Sequence, residues 1–385
     1  MKIIIAIDSF KGSLTTMEAG NAAAMGIRRV YPDAKIQICP IADGGEGTTA
    51  ALVSGLYGTY RTITVADPLG RPIEASYGIL PNGTAIIEMA AASGLTLLSE
   101  NERNPMNTTT YSFGQLIRDA VENGCRSFIL GIGGSATNDG GTGCLHALGF
   151  EFLDKNGKQV PFGAKGLSEI VSISDKNILP ELKDCTFHVA CDVKNPLCGE
   201  DGCSAIFAPQ KGADAEMIAR MDADLRYFAE LTKAYAPDAD PDYAGAGAAG
   251  GLGFGLMSYL HAELRSGIDL IIRETKLDDA IRDADIVITG EGCLDAQTAM
   301  GKAPVGIARI AKKYGKPVIA FSGAVRDGAE QCNAAGIDAF FPILKSVGTL
   351  KDAMDSENAG KNLSDTAEQV FRIIKTIIDM EDKLC

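Results

Sequence analysis

Lys2-Ile3-Ile4-Ile5-Ala6-Ile7 runs straight into Asp8-Ser9-Phe10-Lys11-Gly12-Ser13, and a helical pattern follows from about Thr16 to Val30. A short, continuous, β-branched apolar run reads as a strand buried on both faces. Polar and glycine residues directly behind it, then a helix, are the grammar of a βαβ unit, in which functional loops gather at the carboxyl ends of parallel strands. The pattern recurs. Lys35–Ile41 leads into Ala42-Asp43-Gly44-Gly45-Glu46-Gly47 and a helix from about Thr48 to Ser54. Ser127–Ile132 leads into Gly133-Gly134-Ser135, Asp285–Thr289 into Gly290-Glu291-Gly292, and Lys316–Ser322 into Gly323.

One stretch breaks the grammar. Arg61–Ala66, Ile73–Ile79 and Thr84–Met89 are joined by Asp67-Pro68-Leu69-Gly70 and Pro81-Asn82-Gly83 turns, which spells an antiparallel meander. The 385 residues suit two domains. The expected fold is α/β: a Rossmann-like parallel-sheet domain built from residues 1–64 plus 281–385, with a mixed α/β domain inserted at 65–280.

Composition narrows the function. The net charge of −14 argues against a nucleic-acid partner, which calls for a basic face. No apolar run reaches the roughly 18–20 residues of a membrane span, and the opening apolar run is too short for a signal peptide, so a cytoplasmic location is expected. Ten cysteines form no CxxC pair and read as free thiols of a reducing compartment. Three histidines, His146, His188 and His261, lie in apolar or helical contexts and read as structural. Glycine, at 44 residues, exceeds the usual share of about 7% and is concentrated in a few loops.

Those loops carry the chemistry. In the first, Lys11 with the hydroxyls of Ser9 and Ser13 suits an anion at a helix start, although an ordinary N-cap explains the same residues. In the second, Asp43 and Glu46 flank Gly44 and Gly45, as a Mg²⁺ ion beside a close-approaching ligand would require, or as a plain tight turn would. The third, Gly131 to Gly141, is a small-residue run able to cradle an anion. It also satisfies G-x-G-x-x-A at Gly131, Gly133 and Ala136 with an acid at Glu151, the mark of a dinucleotide fold. Asn138, Asp139, Gly140 and Gly141 delay the helix that such a fold wants at once. A fourth pairing sets Asp192, at a strand end, against Lys211 in Pro209-Gln210-Lys211-Gly212, as base and phosphate clamp or as a surface ion pair. Gly245 to Gly253, including Gly250 and Gly251, reads as a loop and helix start against which a ligand packs, or as a linker. Glu291, Asp295 and Lys302 approximate a P-loop, but Ala296 and Ala303 stand where its first Gly and its Ser/Thr belong.

Taken in order, the segments 8–13, 42–48, 131–141, 191–197, 209–213, 245–253 and 290–298 resemble the type I glycerate kinase family of bacteria, and the resemblance runs from residue 1 to about 375. It implies ATP-dependent phosphorylation of D-glycerate to 2-phosphoglycerate, with 3-phosphoglycerate the alternative. It also implies a flavodoxin-like domain, an inserted second domain and a site between them. Cys293 departs from the Arg or Ser expected in similar sequences, and it lacks the contact to a carboxylate or phosphate that an Arg would offer. On this reading Lys11, Lys211 and Lys302 meet phosphate or the substrate carboxylate. Asp43, Glu46, Glu291 and Asp295 supply Mg²⁺ ligands, and Asp192, then Asp8, is the candidate base. Ser9, Ser13, Gly44, Gly45, Gly133, Gly134, Ser135, Asn138, Gly250 and Gly251 contact substrate or nucleotide. A homodimer is allowed. Two other readings compete: an NAD-dependent oxidoreductase using the 131–136 loop, and a non-catalytic metabolite-binding regulator.

Overall fold

The structure is a computed structural model that describes residues 1–42, 45 and 47–381. In chain order its strands are β1 (Lys2–Ile7), β2 (Lys35–Ile38), β3 (Thr59–Ala66), β4 (Pro72–Ile79), β5 (Thr84–Glu88), β6 (Ser127–Gly131), β7 (Glu151–Leu153), β8 (Ser172–Ser174), β9 (Thr186–Ala190), β10 (Glu263–Arg265), β11 (Ile286–Leu294), β12 (Val318–Val325) and β13 (Ala339–Pro342). They divide between two units. The first comprises Met1–Asp43, Ser54–Leu56 and Ile271–Cys385; the second comprises Gly44–Val53 and Tyr57–Leu270.

The first unit holds a five-stranded parallel sheet in the order β13-β12-β11-β1-β2, the flavodoxin-like order in which the third strand lies beside the first. Ile3, Ile4 and Ile5 are fully buried, as a central strand covered on both faces requires. Helix Thr16–Arg28 starts at a capping box between Thr15 and Glu18. It lies so tightly on helix Ser356–Glu381 that a Cβ on Gly26 would fall 1.9 Å from the Ser364 carbonyl oxygen. The strand order reverses between β1 and β11, so the crevice that open α/β sheets use for ligands opens there.

β11 corrects the sequence reading. Gly290-Glu291-Gly292 is not a loop; the strand continues to Leu294. Its pairing with β1 ends at Ile7 opposite Gly290, whereas its pairing with β12 runs on to Leu294 opposite Val325. A one-sided ladder therefore carries Glu291 past the end of β1.

The second unit holds a six-stranded sheet, β10-β9-β6-β5-β4-β3. β3, β4 and β5 form the expected antiparallel meander, and β5, β6, β9 and β10 are parallel. β3 pairs with β4 from Thr59 to Ala66, so the strand at 59–66 belongs wholly to this unit. Its largely aliphatic core includes aromatic groups: Phe128 stacks on Phe187 at 4.8 Å, and Phe152, Phe228, Phe254 and Tyr259 meet edge-on or stacked. β7 and β8 make a separate two-stranded ribbon. No helix among the described residues is long and apolar enough to cross a membrane.

Candidate active site

In the first unit the candidate residues collect at the strand reversal. The Asp8 N–H donates to the Gly290 carbonyl at 2.9 Å, locking the end of β1 to β11. Asp8 is buried and accepts the Ser9 N–H at 2.7 Å. The next residues close a tight turn: Phe10 and Leu14 exchange backbone bonds of 2.8 and 3.0 Å, and Gly12 takes φ +79°. Lys11 is exposed on that turn. The Ser13 hydroxyl is buried with no hydrogen-bond partner among the described residues. Gly292 lies beneath the turn, since a Cβ there would sit 3.3 Å from the Phe10 Cα.

Two carboxylates lean on one hydroxyl in this region. Thr298 Oγ1 donates to Glu291 Oε1 at 2.5 Å and lies 3.4 Å from Asp295 Oδ1. Asp295 also caps the short helix Ala296–Ala299 through the N–H groups of Gln297 and Thr298. Lys302 Nζ stands 3.7 Å from Asp295 Oδ1. Some burial raises the Asp295 carboxyl, but the Thr298 N–H, Lys302 and the Gln297 N–H outweigh it and hold it below the usual carboxylate range. Asp295 is therefore ionised, and Oδ2 is not consumed by the cap.

In the second unit the loop after β6 is knitted to the segment after β5. The Leu95 N–H donates to the Gly134 carbonyl at 2.8 Å, and the Ala136 N–H to the Ser93 carbonyl at 3.0 Å. This leaves Gly133 and Gly134 exposed, Gly134 at φ +71°. A Cβ on Gly133 would lie 4.0 Å from the Gly45 Cα, so these two glycines approach each other. Behind the turn, Ser135 Oγ accepts from the buried Lys211 ammonium at 2.8 Å. Asn138 is fully buried and donates to Ser204 Oγ at 2.9 Å.

Gly250 and Gly251 have positive φ inside helix Ala248–Leu260 and are buried against the same loop. A Cβ on Gly250 would fall 2.1 Å from the Thr137 carbonyl oxygen, and one on Gly251 3.0 Å from the Gly140 Cα. Asp192 is exposed at the end of β9, and its Oδ1 accepts the Gly267 N–H at 3.2 Å. Lys211 is turned inward, so Asp192 and Lys211 form no ion pair. Asp43, Gly44 and Glu46 lie outside the described residues.

Two acids play larger parts than the sequence suggests. Glu88, the last residue of β5, accepts the Gly47 N–H at 3.1 Å and the Thr49 N–H at 2.5 Å, and so ties down the start of the helix that follows the second glycine loop. Its signal is an acid closing the apolar run Thr84–Met89. Asp139 is fully buried and accepts from Thr110 N and Oγ1 at 2.9 and 3.0 Å, Thr109 Oγ1 at 3.3 Å and Gly141 N at 3.1 Å. Burial pushes its carboxyl up, and those bonds oppose the rise.

A magnesium ion is a matter of donor chemistry here. Mg²⁺ that bridges phosphates takes one or two protein carboxylates and keeps its other oxygen ligands from phosphate and water. The described residues assemble no cluster of three or more His, Cys, Asp or Glu side chains. Glu291 and Asp295, both oxygen donors around one hydroxyl, fit the smaller requirement.

Parallel strands whose carboxyl ends bear acids, lysines and glycine turns at a reversal of strand order define an open α/β enzyme fold. Residues 3–375 match the model of the glycerate kinase family, and the chain belongs to that family. A Haemophilus influenzae protein named glycerate kinase is 48% identical over 375 residues, covering 97% of this chain and 99% of the relative. An Escherichia coli protein named glycerate 2-kinase is 47% identical over 354 residues, covering 92% and 93%. The crystal structure of a candidate glycerate kinase 2 from Salmonella typhimurium LT2 matches with a TM-score of 0.91 at 43% identity, over 98% of this chain and 99% of that one.

The oxidoreductase reading fails. No helix opens at Gly133: the loop stays irregular, bridges back to Gly94, and a helix starts only at Thr142. Glu151 lies in β7, paired to β8 in the small ribbon, and not at the end of a second parallel strand as a ribose-binding acid would.

Proposed function

We propose that this chain transfers the γ-phosphoryl group of ATP to glycerate, giving 2-phosphoglycerate and ADP. The family match over residues 3–375, with a relative named glycerate 2-kinase, carries this reading. The roles of the residues follow from what the chemistry requires. Phosphoryl transfer needs positioning, charge neutralisation and an acceptor for the hydroxyl proton. Asp192, exposed at a strand end, accepts the proton of the C2 hydroxyl as that oxygen bonds to the γ-phosphorus and the bond to ADP breaks. Asp8 is the second candidate for that role. Lys11 and Lys302 neutralise phosphate or carboxylate oxygens. The backbone N–H groups of Gly133 and Gly134, the hydroxyls of Ser9 and Ser13, and Gly45 orient the ligands. Glu291 and Asp295 would hold Mg²⁺, which supplies charge neutralisation on the phosphates when bound. Asp43 and Glu46 remain proposed ligands by sequence alone. Nine described cysteines are free thiols, which suits a cytoplasmic enzyme.

Purified protein given glycerate, ATP and Mg²⁺ should release ADP in step with phosphoglycerate. Glycerate binding without ADP release would support the regulator reading and overturn this one.

A further inference from the structure

Lys211 is sealed in the second unit at 1% exposure. The short turn Pro209–Lys211 fixes it, followed by Gly212 at φ +91°, where a Cβ would fall 2.2 Å from the Arg103 carbonyl oxygen. Its ammonium donates to Ser135 Oγ at 2.8 Å and to the Thr137 carbonyl at 2.6 Å. No carboxylate lies within ion-pair distance among the described residues. The titratable groups that face it are Cys203 and Asp139, both fully buried. Beside it, Thr137 Oγ1 and Asn138 Oδ1 are buried without hydrogen-bond partners among the described residues. A lone buried cation is costly, and a methionine would fill the space without that cost. The charge therefore has a use. On the outer side of the loop it holds, Gly133 and Gly134 are exposed.

We propose that Lys211 is a positioning residue: from behind the loop it fixes Ser135 and Thr137 and supplies the countercharge for an anionic oxygen group bound at Gly133–Gly134. The group is the glycerate carboxylate or a nucleotide phosphate, and this assignment rests on the kinase reading. Lys211 does not touch the ligand; it acts through Ser135, the loop backbone and its field.

Burial already pulls the Lys211 ammonium down to about 8, against weaker support from Cys203 and Asp139. Binding of an anion should therefore draw a proton onto it. If the anion prefers the charged form by about tenfold, about 0.4 proton is taken up per ligand near pH 8.

The full chain is titrated calorimetrically near pH 8, with glycerate and with ADP in separate arms, each in two buffers of different ionisation enthalpy. One ligand should show proton uptake, and that arm identifies the group. Lys211→Met should abolish the uptake and weaken that ligand at least about tenfold, leaving the other ligand unchanged. Should Lys211→Met fail to fold, Ser135→Ala should reduce the same ligand's affinity, and the wild-type uptake remains a direct test. Absence of uptake in both wild-type arms, or wild-type affinity and proton count in Lys211→Met, overturns the proposal. Normal turnover by Lys211→Met would sink Lys211 and leave the kinase reading standing. Ligand binding with proton uptake but no ADP release would do the reverse.

Discussion

Gly250→Ala tests whether the glycine-rich segment 245–253 is a packing joint. Gly250 has φ +68°, and its added Cβ would fall 2.1 Å from the Thr137 oxygen and 2.5 Å from the Asn138 Cα. Left-handed backbone costs a residue with a Cβ about 1–2 kcal/mol. Relieving the overlap displaces backbone on both sides, and overpacking of that kind costs about 1–3 kcal/mol. Reduced freedom of the unfolded chain returns about 0.4–1 kcal/mol. The net loss is about 2–4 kcal/mol, or roughly 4–16 °C in melting temperature for a unit of this size. Gly157→Ala is the control: its φ is +73°, but nothing lies within 4 Å of the added Cβ, so it carries the backbone cost alone. Thermal and urea unfolding of both variants separate the contributions. The Thr137 carbonyl that must move is also an acceptor for Lys211, so turnover of Gly250→Ala should fall at temperatures where it remains folded. A Gly250→Ala variant no less stable than Gly157→Ala would refute the packing argument.

Three further outcomes are expected. Asp192→Asn keeps an acceptor for the Gly267 N–H, so it should fold normally while turnover falls by orders of magnitude; near-normal kcat removes Asp192 as the base. Glu291→Gln keeps the bond from Thr298 but loses the charge, and should raise the Mg²⁺ concentration needed for half-maximal rate about tenfold or more; an unchanged Mg²⁺ dependence excludes Glu291 as a ligand. Asp365 is held well below the usual carboxylate range by Lys345, Arg29 and Lys361. Its stabilisation is present above about pH 4, where the unfolded group ionises, and is lost as pH falls through the lower native value. These side chains are partly exposed, so Asp365→Asn should cost about 0.5–1 kcal/mol near neutrality, shrinking toward zero in acid; a urea-unfolding difference that stays constant with pH contradicts the assignment.

Much of this was legible because apolar periodicity and turn chemistry act locally. The Ile3–Ile5 run announced a doubly covered strand, and Asp67-Pro68-Leu69-Gly70 announced the meander. The end of β11 was not legible. Gly290 and Gly292 look like loop residues, but a Cβ at Gly290 would fall 2.1 Å from the Phe321 oxygen, so glycine there serves close strand packing. Gly250 and Gly251 likewise read as ligand-facing, and their fit against residues 137–140 depends on contacts more than a hundred positions away. Lys211 read as a loop lysine beside Asp192. Whether such a side chain turns outward or inward depends on a space made by Ser135 and Thr137, which no local pattern encodes. Glu88 was hidden for the same reason: its partners, Gly47 and Thr49, are about forty residues upstream.

The central claim, transfer of the ATP γ-phosphoryl group to the C2 hydroxyl of glycerate, is tested most directly by proton-coupled ³¹P NMR of the reaction mixture. Glycerate, ATP, Mg²⁺ and the purified chain should yield ADP and one new phosphomonoester signal split into a doublet by the single C2 proton. A signal split by two protons would place the phosphate on C3 and contradict the assignment of the acceptor hydroxyl. An unchanged ATP spectrum would contradict the kinase itself.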